Sequence, residues 1–303
     1  MGAMTPTVRA NVKAWECDIM AHMNVQHYLA RSAETLGPLQ ALLELPPGTG
    51  LRHRAERVLF MRELRNGDSF TIDTGILALA SDGLTTFNEM RNIDSGAIAA
   101  RFIIEFVCTE RACNRAIELP AAVRRAAQAL LIDPPADLRA REPLPQPPAR
   151  DWATAQALGL FDTTRGTIEP WECDAQGELH PRFFMARCSD AVTHLQHHYG
   201  LTPEYRRLRG LGSAALEYNI EFHRPLRAGD GIITRSGLRE MRGKIQYFFH
   251  WFMDAATRET VATVETAGTL FDFESRRSVN IPDDLRELAA PHIKRFQSPV
   301  TGH

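Results

Sequence analysis

The sequence predicts an α+β protein built from two tandem modules, each an antiparallel sheet wrapped around one central helix. Three observations carry that prediction. Trp15-Glu16-Cys17-Asp18 recurs as Trp171-Glu172-Cys173-Asp174, 156 positions on. Phe60 to Gly67-Asp68 recurs as Phe222 to Gly229-Asp230, and Leu119-Pro120 with Arg124 recurs as Ile281-Pro282 with Arg286, both 162 positions on. The offset grows once and then holds, the mark of a duplicated unit of about 140 residues. Within each copy one helical period precedes four strand-like runs, and a lone helix covers a sheet only if the sheet curls around it. The expected boundaries are 5–131 for the first module, 132–160 for a Pro-rich linker and 161–298 for the second.

The elements follow in order. Residues 7–15 alternate loosely and read as a first strand. From Val25 to Leu43 apolar residues recur at Val25, Tyr28/Leu29, Leu36, Leu39 and Leu42/Leu43, the period of a helix with one buried stripe. Asn24 suits its N-cap, and Pro38 predicts a kink or break late in it. In the second copy Phe184, Cys188, Ala191/Val192, Leu195 and Tyr199 share a face, with Pro181 in the first turn and Gly200 at the exit. Strands are expected at 57–64, 69–80, 84–93 and 98–108, and again at 215–226, 231–241, 244–254 and 260–271. Asn66-Gly67-Asp68 and Asp94-Ser95-Gly96 supply turn chemistry between them. Residues 121–131 read as a helix, and the prolines after Asp133 as a spacer.

Composition narrows the classes. Hydrophobic residues make up 44% and charged residues 24%, the balance of an ordinary globular protein. A net charge of −2 argues against a nucleic-acid partner. No apolar run reaches the ~20 residues that span a bilayer, and no signal peptide is read at the start. A cytoplasmic location is therefore expected. Cys17, Cys108, Cys113, Cys173 and Cys188 form neither an even disulfide framework nor a paired metal spacing. Cys17 and Cys173 sit beside aspartates, where a nucleophilic thiol is conceivable, but small buried fillers of a strand are the better reading. His194 and His198 have metal-pair spacing without the intervening glutamate of HExxH, so no metal is expected. Arg206, Arg207 and Arg209 form a basic turn, either solvated or facing the phosphates of coenzyme A.

Asp18, His22 and Asn24 place a carboxylate, an imidazole and an amide within seven residues, just ahead of a helix. Such a helix tip offers backbone N–H groups and a partial positive charge to an oxygen gaining charge. Asp18-x-Met20-x-His22-x-Asn24-x-x-x-Tyr28 resembles the Asp-x-Met-Gly-His-Val-Asn-Asn-x-x-Tyr motif of 4-hydroxybenzoyl-CoA-type acyl-CoA thioesterases of the hotdog superfamily. It is also similar to plant acyl-ACP thioesterases, which fuse two such modules. The resemblance covers nearly the whole chain and implies a double hotdog that hydrolyses an acyl thioester, with active sites at the interface of two modules and no cofactor beyond the coenzyme A of the substrate. It implies Asp18 as general base or nucleophile, with His22 and Asn24 beside it. Ala21 replaces the motif's glycine and Val25 its second asparagine. In the second copy Asp174 and His180 are the pair to watch, with Glu178 where His22 stands. The expected partner is an acyl-CoA or acyl-ACP, with a homodimer of double-hotdog chains as a further possibility.

Two rivals stand beside this reading. A hotdog enoyl hydratase requires Asp-x-Asn-Pro-x-His, and Asp18 to His22 lacks the asparagine and the proline. A non-catalytic acyl-CoA-binding protein would keep the fold without the chemistry.

Overall fold

The structure is a computed structural model that describes residues 3–296 apart from 19, 139–146 and 148. It divides into two compact units: Met1–Leu138 with Pro181–Met185, and Arg139–His180 with Ala186–His303.

In the first unit β1 (Thr5–Asn11) leads through a short 3-10 turn to α1 (Val25–Ala33) and α2 (Leu36–Leu42). Then come β2 (Thr49–Phe60), β3 (Ser69–Leu79), β4 (Gly83–Asn92), β5 (Ile98–Glu110), the short β6 (Arg115–Ala116) and α3 (Ala121–Ala129). The five main strands run antiparallel in the order β1-β3-β4-β5-β2. Tyr28 packs edge-on to Phe60, ring centroids 5.2 Å apart, and its hydroxyl accepts the Leu64 amide at 3.0 Å. The sequence predicted one helix over 25–43; the chain forms two. Pro38 cannot donate to Glu34, and its ring crowds that carbonyl, so the break falls one turn upstream of the proline. Leu42 is accordingly exposed while Leu43 is fully buried.

The second unit repeats the plan. After α4 (Trp152–Ala157) come β7 (Phe161–Thr167), α5 (Pro181–His198) and α6 (Pro203–Arg209). The rest is β8 (Leu211–Phe222), β9 (Gly231–Arg242), β10 (Ile245–Asp254), β11 (Thr260–Asp272), β12 (Ser278–Val279) and α7 (Asp283–Ala289). The order is β7-β9-β10-β11-β8, the same as in the first copy. The expected face of α5 is buried at Phe184, Cys188, Ala191, Leu195 and Tyr199.

The duplication persists where nothing in the sequence announces it. Beyond Thr74, where β1 stops pairing, Leu131 bridges Ile76 in parallel; Ile293 bridges Leu238 in the same way. Thr7 Oγ1 donates to the Ile72 carbonyl and meets Thr74 Oγ1 at 2.8 Å, and Thr74 donates to Asn88 at 2.7 Å. In the second copy Thr163 donates to the Thr234 carbonyl and meets Ser236 at 2.7 Å, and Ser236 meets His250 Nδ1 at 2.6 Å. Each chain of polar groups crosses three strands of its sheet.

The linker is more than a spacer. The middle of it lies outside the described residues, but Asp151 caps α4, and Ala155 and Leu160 are buried with Phe249, Trp251 and Met253 of β10. The guanidinium groups of Arg235 and Arg258 both pack on the Trp152 ring, 4.3 and 4.4 Å from its centroid. The segment is thus a cover for β10, which explains why that strand is apolar on successive residues rather than alternating.

Candidate active site

The repeated Trp-Glu-Cys-Asp motif is first of all a scaffold. Glu16 is buried; its Oε2 accepts the Lys13 amide at 2.8 Å and its Oε1 accepts Arg31 of α1 at 2.6 Å. Glu172 does the same with the Glu169 amide and both terminal nitrogens of Arg187 of α5. Burial pushes the Glu172 carboxyl up, but Arg187 and the Glu169 amide outweigh it and hold it below the ordinary carboxylate range. Each glutamate therefore locks a strand exit to the following helix, through Arg31 in the last turn of α1 and Arg187 in α5. Trp15 and Trp171 are exposed.

Cys17 and Cys173 correct the expectation of buried strand fillers. Each is half-buried at the end of a 3-10 turn, its thiol facing a main-chain carbonyl, Lys13 at 3.5 Å and Glu169 at 3.7 Å. Burial and the neighbouring Asp18 and Glu16 carboxylates push the Cys17 thiol up, away from a nucleophilic thiolate.

Asp18 closes the loop that follows. Its Oδ1 accepts the Met20 amide at 2.8 Å and the His22 amide at 3.2 Å, and its own amide donates to the His22 carbonyl. The side chain is exposed. Asp174 makes the same two bonds, to Gln176 at 2.8 Å and Glu178 at 3.0 Å. The closure forces residue 21 into the left-handed region: Ala21 has φ 59°, and its counterpart Gly177 has φ 75°. That is the physical reason a glycine suits this position.

His22 is buried at the mouth of α1, and its Nε2 lies 3.3 Å from Glu63 Oε2. Glu63 follows the end of β2 and went unnoticed in the sequence, where it sits in a run of charges. The two meet because residues 22–23 pair with residues 64–65 through the His22–Arg65 bridge and the Met23 amide on the Leu64 carbonyl. Asn24 is the N-cap of α1, its side chain accepting the Gln26 amide at 3.1 Å. His27 is buried, its Nδ1 3.8 Å from Glu16, and burial lowers its pKa.

The second loop keeps the scaffold and changes the chemistry. Glu178 is buried with Arg227 3.8 Å from its carboxylate, and Pro225 stands where Glu63 stands. His180 precedes Pro181, the first residue of α5, and its amide donates to the Glu172 carbonyl. His198 packs tilted against Phe161 and edge-on to His292, and Arg209 pairs with Asp284 at 2.6 Å. No group of three or more metal-ligating side chains occurs among the described residues.

The sequence profile of the thioesterase-like superfamily matches residues 12–127 and 168–288, most of both modules. The chain belongs to the thioesterase-like superfamily. Both modules of this thioesterase-like protein have the hotdog architecture, and similar solved structures extend along most of its length. A 12:0-ACP thioesterase from Umbellularia californica aligns with TM-score 0.64 and 13% identity over 87% of this chain and 93% of its own. An acyl-ACP thioesterase from Bacteroides thetaiotaomicron gives 0.61 and 9% over 86% and 96%. A Lactobacillus plantarum protein described as an oleoyl thioesterase gives 0.67 and 12% over 88% and 96%. At such identities the likeness is one of fold. No curated protein matches the sequence, and no helix among the described residues is long and apolar enough to cross a membrane.

Proposed function

We propose that the protein hydrolyses an acyl thioester, acyl-CoA or acyl-ACP, at the loop that opens α1. The observation that carries this is the His22–Glu63 contact at a helix tip, in a chain of the thioesterase-like superfamily. His22 takes the proton of an attacking water, and Glu63 steadies the imidazolium that forms. The oxyanion falls to the Val25 amide: the amides of Met23, Asn24, Gln26 and His27 are already satisfied in loop and cap, whereas Val25 N–H finds no acceptor among the described residues. Asp18 holds the loop that delivers these groups, with its Oδ2 outside those bonds and able to approach substrate. Asn24 aligns the donors by capping.

The same accounting makes the second loop inactive. It carries Glu178 for His22, Pro225 for Glu63 and, in place of Val25, Pro181, which has no N–H to donate. Asp174, Glu178 and His180 are then scaffold residues, and the protein turns over at one site per chain.

A hydrolysis screen across acyl-CoAs and acyl-ACPs, read by free thiol, tests this. His22→Ala should lower kcat by about 10²–10⁴-fold, as loss of a positioned base does. Glu63→Gln should cost less, and Glu178→Ala should leave kcat within about twofold, as expected of a residue outside the chemistry. Asp18→Asn retains an acceptor for both loop amides. If Asp18 attacks the thioester, that variant is dead; if it only shapes the loop, most activity survives. Absence of thiol release from any acyl thioester would end the proposal.

A further inference from the structure

Beneath α1, far from the loop chemistry, lies a buried carboxyl that the proposed mechanism does not use. Glu56 is on β2 and only 1% exposed. Its Oε1 is 2.6 Å from Ser32 Oγ, on the last turn of α1, while its Oε2 finds no hydrogen-bond partner among the described residues. Ser32 Oγ also lies 3.1 Å from the Leu29 carbonyl. A hydroxyl has one proton, and a carbonyl can only accept. For each contact to be a two-centre hydrogen bond, Ser32 donates to Leu29 and accepts a hydrogen bond from the Glu56 acid.

We propose that Glu56 is held as a neutral carboxylic acid that donates to Ser32, pinning α1 to β2 and so positioning His22 against Glu63. The pin is one rung of a ladder. Helix and strand run in opposite senses, so Ser32 meets Glu56, Tyr28 meets Phe60 and the Leu64 amide, and His22 meets Glu63 beyond the strand's end. An ionised Glu56 would sit in this core with one oxygen bare, a costly arrangement. The second copy makes the same demand with other atoms. At the positions corresponding to Ser32 and Glu56 stand Cys188 and Tyr218, both buried, and burial raises both the thiol and the phenol. Burial pushes the Glu56 carboxyl up to about 7 and outweighs the lowering that a Ser32 hydroxyl donating to a carboxylate would give. The titratable group facing it is His53 on its own strand, with Nε2 3.9 Å from Oε2; the residue opposite on β5 is the uncharged Ile104, and α1 presents Ser32.

The protonation half of this inference stands apart from the hydrolase reading; the positioning half rests on it. In wild-type protein labelled with 13C-glutamate, infrared spectra at about pH 6 should show the carbonyl stretch of protonated acid in the folded state, lost on unfolding; Glu56→Gln should remove the Glu56 share of that band and leave the share of Glu265, which burial also raises. The Glu56 carboxyl is raised in the folded state, so its stabilisation is complete below its unfolded value and is lost as pH rises through the folded one. The thermal midpoint should therefore fall between about pH 5 and about pH 8, with a smaller fall in Glu56→Gln, whose amide still donates to Ser32. Hydrolysis should lose an alkaline limb in Glu56→Gln while kcat at low pH is kept, whereas Glu56→Ala should lower kcat throughout. If Glu56→Gln does not fold, the labelled wild type and Ser32→Ala suffice. An acid band at about pH 6 that neither Glu56→Gln nor Ser32→Ala alters, as a Glu56–His53 ion pair would give, overturns the proposal. An acid band without any thioester hydrolysis overturns only the catalytic half.

Discussion

Ala21 is the residue at which the first loop departs from an easy backbone. A left-handed alanine costs about 1–2 kcal/mol, and glycine removes that cost while giving back about 0.5–1 kcal/mol in unfolded-chain entropy. Ala21→Gly should therefore stabilise the protein by about 0.5–1 kcal/mol, and Gly177→Ala should destabilise it by a similar amount, both read from denaturant midpoints. Equal signs in the two variants would show that the loops are not built alike. Residues of this kind were half legible in the sequence. The acid, imidazole and amide of the first loop announced themselves by spacing. Glu63 did not, because a glutamate between Arg62 and Leu64 looks like any exposed charge until the loop brings His22 to it. Asp18 shows the other side: spacing makes the residue prominent but does not tell that one of its oxygens is spent on its own loop.

At the scale of elements, periodicity located β3, β4, β5 and their counterparts to within a residue or two, because each is apolar on a face or on both. It missed the first half of β2, where Arg52, His53, Arg54 and Glu56 mask a strand whose inward residues include an acid and an imidazole. It also missed α4, which is short and set among prolines and covers a face that only the folded sheet reveals. That cover makes its own prediction. A Cβ on Gly237 would lie 2.7 Å from Phe249 Cζ and 2.9 Å from Leu160 Cδ2. Phe249 is fully buried and cannot retreat, so Gly237→Ala should cost about 1–3 kcal/mol, and Leu160→Ala in the same chain should restore part of it. The corresponding Gly75→Ala meets the far end of Ile132, a flexible side chain, at 2.6 Å and should cost less. If Gly75→Ala is the more damaging of the two, α4 is not the tighter cover.

At the scale of the molecule, the two copies keep one plan and differ in what they bury, and the differences set the pH at which the protein is most stable. Burial drives His250 down from 6.5 to about 3. Because its folded value is below its unfolded one, stability is lost as pH falls from 6.5 toward 3. Burial drives Glu56 and Glu265 up from 4.5 to about 7, in the latter against the pull of Arg239 and Arg150, so stability is lost as pH rises from 4.5 to 7. Each group contributes at most ~1.4 kcal/mol per pH unit. Between 4.5 and 6.5 two carboxyls oppose one imidazole, so the net slope is negative and stability falls with rising pH. Below 4.5 the imidazole continues its loss, joined by Glu172 and Asp254, whose partners hold them below the usual range. The stability maximum should thus lie on the acid side of neutral, at about pH 4.5. The first copy holds Asn88 where the second holds His250, with its amide donating to Thr86 and the Phe102 carbonyl. Asparagine does not titrate, so His250→Asn should flatten the acid limb, steepen the fall between about pH 4.5 and about pH 6.5 and leave the fall above about pH 6.5 unchanged. Denaturant midpoints measured from about pH 4 to about pH 8 check both statements. A wild-type maximum at or above neutral pH would mean that these three buried groups do not govern the balance, and an unchanged acid limb in His250→Asn would remove the imidazole from it.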